Sequence, residues 1–324
     1  MLKKIKTIGN TPMLKIDYEY KGKDKYIYTK LEYYNLTGSI KDRVAYYIIN
    51  NAMKNGKLKE DMPIIEATSG NTGIALAALG RFYKHPVCIF MPDWVSKERI
   101  DLIKNYGASI ALFSKEQGGF IRCVEEAKKM SEEQNAFLAN QFANKDNFLA
   151  HYETTAEEII KQVPEKINGF VSGVGTGGTL MGTGKRLKEE FEDFKIVAIE
   201  PDKMPIISQG KAIAQHKIEG IGDDFVPDLV DKKAIDDIIL VNDDDAINMS
   251  RKLARELGLG VGISSGANLI GSILLNEKIN KPIVTVFADD NKKYLTTDLA
   301  KDIDENINFI SNKIKLKNYE VIKS

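Results

Sequence analysis

The stretch Gly173-Val174-Gly175-Thr176-Gly177-Gly178-Thr179 crowds glycines and two threonine hydroxyls between an apolar run, Phe170-Val171-Ser172, and a helical segment, Leu180 to Glu190. Glycines at that density leave backbone N–H groups free to converge on an anion, and the start of a helix adds partial positive charge. The spacing Gly173-x-Gly175-x-x-Gly178 also matches a dinucleotide turn, with Glu200 ending the next strand where a ribose-binding acid would sit. An NAD oxidoreductase is therefore one reading. Against it, such a turn normally opens a nucleotide-binding domain, whereas here it follows a complete α/β unit. Thr176 and Thr179 interleave hydroxyl donors with the amides, which suits a terminal phosphomonoester better than a pyrophosphate bridge. A phosphorylated cofactor such as pyridoxal phosphate fits that pattern.

Two further stretches carry reactive or donor groups. In Asn35-Leu36-Thr37-Gly38-Ser39-Ile40-Lys41-Asp42-Arg43 a lysine opens a helix after a glycine-serine turn. It is either a solvated first-turn residue or an amine held in place with a depressed pKa, as Schiff-base chemistry needs. A helix N-terminus disfavours the cation and so works in the second direction. Glu66-Ala67-Thr68-Ser69-Gly70-Asn71-Thr72-Gly73 puts hydroxyls and an amide at the carboxyl end of a strand, where open α/β sheets bind ligands. A substrate carboxylate would find donors there; a capped helix alone would need only one of these residues.

The elements that must position these stretches alternate. Residues 1–40 read as short strands and loops, with Tyr26 to Glu32 the best strand. Helices follow at Asp42 to Asn55, Thr72 to Tyr83, Ser96 to Tyr106 (capped by Ser96) and Gly119 to Gln134. Strands lie between them at Ile64 to Glu66, Val87 to Met91 and Ser109 to Phe113. After Asn147 the pattern resumes with a helix to Gln162, the strand at Phe170, the strand Lys195 to Glu200, helices at Asp244 to Leu257 and Ser265 to Leu275, and a strand at Pro282 to Phe287. Such alternation predicts an α/β fold of two doubly wound domains with mostly parallel sheets. A smaller domain at 41–147 carries Lys41 and the candidate substrate loop. A larger one, 1–40 plus 148–324, carries the glycine stretch. The tail from Ala300 to Ser324 reads as a surface helix or packing arm.

Composition narrows the function classes. The 324 residues are 43% hydrophobic, enough for real cores, and Lys+Arg and Asp+Glu both number 46, so no net field favours nucleic acid or a membrane surface. No apolar run approaches the roughly 20 residues that span a bilayer, and Met1 to Lys6 leads into Gly9-Asn10-Thr11-Pro12 where an export signal needs an apolar core. Cys88, in a strand-like run, is expected to be a buried thiol. With only Cys123 besides, no disulfide framework is expected and the compartment reads as cytoplasmic. His85, His151 and His216 show no ligand spacing, so no metal site and no Ser/His/Asp triad is expected.

Taken together, the three stretches resemble, in order and spacing, the cysteine synthase and cystathionine β-synthase family of pyridoxal phosphate (PLP) enzymes, of the tryptophan synthase β-subunit fold type (fold type II). The resemblance runs from Gly9-Asn10-Thr11-Pro12 to about Leu299. It implies a homodimer in which Lys41 forms the internal aldimine and shuttles the α-proton, and Asn71 contacts the ring hydroxyl. Gly175, Thr176, Gly177, Gly178 and Thr179 would hold the phosphate, and Thr68, Ser69, Thr72 and Gln141 the substrate carboxylate. Gly262-Ile263-Ser264-Ser265-Gly266-Ala267 also looks like a family motif near the cofactor. The implied chemistry is loss and addition at the β-carbon of an amino acid, with PLP as electron sink.

Two departures from the family pattern sharpen this. Where a serine commonly faces the pyridine nitrogen, the chain has Ala288-Asp289-Asp290-Asn291, which puts Asp290 at or near that position, unless the turn is rearranged and Asp290 is solvated. Where O-acetylserine sulfhydrylases have small residues, it has Asp223 and Asp224. At least one of these is expected to act as a general base toward water or a thiol, a task that hydrosulfide does not require; the alternative is a pair of solvated turn residues. The expected reaction is β-replacement on L-cysteine with water or a thiol, releasing hydrogen sulfide. Cysteine synthase or cystathionine β-synthase activity is the alternative, and from other classes the NAD enzyme or a non-catalytic cofactor-binding partner.

Overall fold

The computed structural model describes residues 5–301 and 308–322. Among them the strands are β1 (Met13–Tyr20), β2 (Lys23–Leu31), β3 (Ile64–Ala67), β4 (Val87–Pro92), β5 (Ser109–Phe113), β6 (Phe137–Leu138), β7 (Gly169–Gly173), β8 (Lys195–Pro201), β9 (Asp237–Val241), β10 (Ile283–Phe287) and β11 (Ile314–Ile322). The helices are α1 (Lys41–Lys54), α2 (Asn71–Tyr83), α3 (Lys97–Asn105), α4 (Gly119–Glu133), α5 (Lys145–Ala150), α6 (Ala156–Gln162), α7 (Gly178–Glu190), α8 (Ile206–Gln209), α9 (Asp243–Leu257) and α10 (Ile263–Ile279).

The strands form a seven-stranded sheet, β11-β1-β2-β10-β7-β8-β9, and a four-stranded sheet, β5-β4-β3-β6. From β2 to β9 the large sheet is parallel, and so is the whole small sheet. Parallel strands are buried on both faces and lose the polar alternation of an exposed sheet. Accordingly Ile283-Val284-Thr285-Val286-Phe287 of β10 is buried throughout. Successive residues serve opposite layers. Phe170, Ile196 and Ala198 pack with Leu180 and Leu187 of α7, whereas Val171, Val197 and Ile199 pack with Met249 of α9 and Ile270 and Ile273 of α10. In the small sheet Ile64, Ile89 and Met91 meet Ile48 of α1 and Leu79 of α2, while Ile65, Ala67 and Phe90 meet Cys123 and Ala127 of α4. Both sheets are thus doubly wound, as the alternation implied.

Three sequence expectations are refined here. Of the two readings of the tail, the packing arm holds among the described residues: Ile314–Ile322 is an edge strand antiparallel to β1, with Ile314 and Leu316 buried. Residues 302–307 and 323–324 of that segment lie outside the described residues. Cys88 is only half-buried, because its side chain points from β4 toward the partly covered α4 side; Cys123 is the buried thiol, and both are free. The helix expected up to Gln162 runs without a break from α5 to α6, but through a π-turn at His151–Thr155.

Helix α1 is anchored by a buried ion network. Arg43 donates to Glu32 (Nε to Oε2, 2.6 Å; Nη2 to Oε1, 2.9 Å) and to Glu158 (Nη1 to Oε1, 2.6 Å; Nη2 to Oε2, 2.7 Å), while Lys30 lies 2.7 Å from Glu158. Burial alone would push the Glu32 carboxyl up, yet Arg43 and Lys30 hold it at about 2. Arg43→Met leaves two carboxylates short of counter-charge and costs about 3–5 kcal/mol of stability, read from the urea midpoint. Because the folded-state value of Glu32 is depressed, its contribution is present above pH 4.5 and is lost as pH falls toward 2. The variant lacks that share of the acid dependence.

Candidate active site

The loops that follow β3, β7 and β10 all leave the carboxyl ends of parallel strands, the place where such sheets bind ligands. They converge with the start of α1 on a cavity of about 910 Å³ lined by Lys41, Thr68, Ser69, Asn71, Thr72, Gln141, Gly175, Thr176, Gly177, Thr179, Asp223 and Asp224 among others.

Lys41 is the first residue of α1, and the loop before it is tied down. Thr37 donates to Asp42 through its N–H (2.9 Å) and hydroxyl (2.7 Å), and the Ile40 N–H donates to the Ala288 carbonyl at 2.8 Å. Burial lowers the pKa of the Lys41 amine, against a weaker upward pull from Asp223 and Asp289. Lysine in this position is therefore no solvated surface residue.

The glycine stretch forms the opposite wall. Gly177 caps α7 with a φ of +84°, a left-handed conformation that glycine adopts without cost, and turns the chain so that the helix N-terminus opens on the cavity. Thr176 Oγ1 accepts from Asn147 Nδ2 at 2.8 Å, and Thr179 Oγ1 lies 3.2 Å from His151 Nε2. His151 is fully buried, and desolvation, reinforced by Lys41 and Arg43, keeps it neutral. The π-turn is what aims it here; no sequence pattern announced it. Gly178 is turned away from the cavity and packs against Asn147. Glu200, the acid of the dinucleotide reading, instead accepts the N–H groups of Ile207 (2.6 Å) and Ser208 (3.0 Å) at the start of α8.

At the third wall Thr72 Oγ1 donates to Gln141 Oε1 at 2.5 Å, and Gln141 is held through its Nε2 by the Ala67 carbonyl (3.1 Å) and through its backbone N–H by Glu66 (3.0 Å). Burial pushes the Glu66 carboxyl up to about 8 despite two backbone donors, so it is neutral at physiological pH. An acid inside an otherwise apolar strand was the signal that could have marked it as a structural support for this loop.

The carboxylates after β10 differ from expectation. Asp290 is turned away from the cavity: it caps the short turn Asn291–Tyr294, accepting from the Lys292 N–H at 3.1 Å, with Lys293 Nζ 3.5 Å away. Capping geometry claims its side chain. Asp289, one residue earlier, is the buried one; its Oδ2 accepts from Asn71 Nδ2 (2.8 Å) and Tyr294 OH (2.7 Å). The Gly262 N–H donates to the Asp289 carbonyl at 3.0 Å, and Ile263 and Ser264 of the same motif line the cavity. Asp223 is raised to about 6, first by burial and then by Asp224, with Lys41 pulling the other way, whereas Asp224 is exposed.

Asn71, on the cavity wall, keeps its Oδ1 buried without a protein partner. Buried acceptors of that kind call for a polar occupant. Together with amide and hydroxyl donors on one wall and the half-buried Lys41 on another, this acceptor fits a phosphorylated aromatic cofactor.

Comparisons with known proteins agree. The family described as pyridoxal-phosphate dependent enzyme matches residues 5–289. A probable cysteine synthase of Bacillus subtilis (strain 168) is 41% identical over 300 residues, covering 90% of this chain and 95% of that protein. The structure of a hydrogen sulfide-producing enzyme from Fusobacterium nucleatum superposes with a TM-score of 0.93 at 48% identity, covering 98% of this chain and 97% of the other. That of a cysteine synthase from Entamoeba histolytica gives 0.86 at 36% identity, over 97% and 98%. The chain therefore belongs to the pyridoxal-phosphate dependent enzymes of the cysteine synthase type, not to the dinucleotide-binding oxidoreductases.

Proposed function

We propose that this enzyme consumes L-cysteine by β-replacement, releasing hydrogen sulfide and placing water or a thiol at the β-carbon. The observation that carries this reading is Asp223, a carboxylate raised to about 6 in the same cavity as Lys41. At neutral pH it is largely ionised yet basic enough to take a proton from a weak nucleophile. Likeness to the hydrogen sulfide-producing enzyme of Fusobacterium nucleatum supports it.

PLP, when bound, supplies the electron sink for bond breaking at the α- and β-carbons. Gly175, Thr176, Gly177 and Thr179 would hold its phosphate through amides and hydroxyls, and Asn71 would meet the ring. Asp289, buried against Asn71, would take the cofactor-binding role expected of Asp290. Thr68, Ser69, Thr72 and Gln141 orient the substrate carboxylate. Lys41 Nζ moves the α-proton, and Asp223 accepts the proton of the incoming water or thiol, with Asp224 at the solvent side. Residues 41–147 form the smaller unit of the fold and 1–40 with 148–324 the larger; the enzyme works as a homodimer. Two unpaired cysteines suit a cytoplasmic setting.

A second reading, synthesis of cysteine from an activated serine, is favoured by the likeness to the Bacillus protein. Supplying L-cysteine, L-serine and O-acetylserine separately to the holoenzyme in isotopically labelled water discriminates them. We expect sulfide from L-cysteine together with labelled L-serine, or a thioether when a thiol is added. Faster conversion of O-acetylserine plus sulfide to cysteine would replace our reading with the second.

A further inference from the structure

Arg99, in α3, takes no part in the chemistry above, yet its side chain is only 3% exposed beside the cavity. Its stem crosses directly over the substrate loop: a Cβ on Gly70 would fall 2.1 Å from Arg99 Cδ, so only glycine admits it. Beyond Gly70 the guanidinium lies 4.4 Å from the centre of the Tyr294 ring, and Nη1 donates to Ser96 Oγ at 3.0 Å. Ser96, at the N-cap position of α3, turns its own hydroxyl to the Lys293 carbonyl at 2.8 Å instead of capping the helix. The charge of Arg99 is met by Glu219, with which it pairs directly.

Each contact leads to a different wall of the cavity. Through Tyr294 and Asp289 the guanidinium is linked to Asn71, since Asp289 Oδ2 accepts from both. Through Glu219 it reaches the loop that carries Asp223 four residues later, and the Gly222 N–H of that loop donates to the Val174 carbonyl beside the phosphate cup at 2.9 Å. An ion pair desolvated on one side and stacked on an aromatic ring is rigid, because the planar guanidinium has one orientation that satisfies both partners.

We propose that Arg99 and Glu219 are positioning residues that couple the substrate loop to the Asp223 loop, holding the carboxylate of Asp223 toward Lys41. This rests on the reading of Asp223 as the base for the second half of the reaction. Release of sulfide depends on Lys41 and is insensitive to the pair. Attack by the second nucleophile depends on where Asp223 stands, and a displacement near 1 Å costs roughly a hundredfold in rate.

The test uses holoenzyme and L-cysteine in single turnovers, following sulfide release and amino-acid product formation separately across pH. With Glu219→Gln or Arg99→Lys we expect sulfide release close to wild type and product formation slowed roughly tenfold to a hundredfold. The pH midpoint of product formation, set by Asp223 together with Asp224 and Lys41, is displaced as well. In an Asp223→Asn background Glu219→Gln adds no further loss, because its effect runs through that carboxylate. Glu219 is partly exposed, so its variant serves if Arg99→Lys fails to fold. Equal slowing of both steps with an unmoved midpoint, or a full additional loss in the Asp223→Asn background, overturns the coupling alone. Wild-type product formation by Asp223→Asn itself overturns the base, and the coupling with it.

Discussion

Lys41→Ala removes turnover on every amino acid, by about four orders of magnitude or more, since both the covalent hold on the cofactor and the α-proton transfer pass through one amine. The loss is chemical and not structural. Lys41 has its backbone anchored by the Ser39 hydroxyl at 3.3 Å, and the Thr37–Asp42 bonds that shape the loop do not involve its side chain. The variant therefore folds and still binds PLP in the phosphate cup, but without the covalent link. Denaturation releases PLP from both proteins; dialysis against a competing amine strips it from the variant far faster. Two measurements check this: turnover with L-cysteine, and the visible absorbance that remains after dialysis. Residual turnover above about one hundredth of wild type would mean that another group moves the proton.

The second large effect is on Asp223→Asn, where product formation falls about a hundredfold to a thousandfold while sulfide release from L-cysteine continues. Asparagine keeps the shape and loses the proton acceptor. In the wild type the active form is the carboxylate, so the rate of the second step rises with pH through about 6 and levels off above it. The variant shows no such rise. Asp224→Asn has a small effect by comparison, because that side chain is exposed, though it moves the Asp223 midpoint down by removing a neighbouring negative charge. If both steps kept wild-type rates in Asp223→Asn and in Asp224→Asn, the pair would be turn residues and the sulfide-releasing reading would lose its support.

Local patterns carried much of the architecture. The Ala- and Leu-rich segment from Thr72, the apolar runs at Val87 and Ile283 and the glycine turn between β7 and α7 depend on neighbours within a few residues, so spacing reveals them. The strands β9 and β11 were less visible. β9 sits half-buried at one edge of the sheet, and β11 is recruited from the far end of the chain by pairing with β1. A lysine-rich segment such as Ile314-Lys315-Leu316-Lys317 acquires its strand identity from that partner.

By itself the sequence determined that Lys41, the Thr68–Thr72 loop and the Gly175–Thr179 turn each sit at the end of an element, where a side chain or amide is free to act, and that the aspartate pair lies in a loop. What only the tertiary structure decided were relations between elements. Asp289 rather than Asp290 faces inward because a one-residue step along an extended chain reverses the side chain, and the short turn after it claims Asp290 as its cap. His151 reaches Thr179 because a π-turn rotates it. Glu66 is neutral because of what buries it, and Arg99 finds Glu219 across 120 residues of chain. Burial and charge pairing at such separations are properties of the folded surroundings, and no local spacing encodes them.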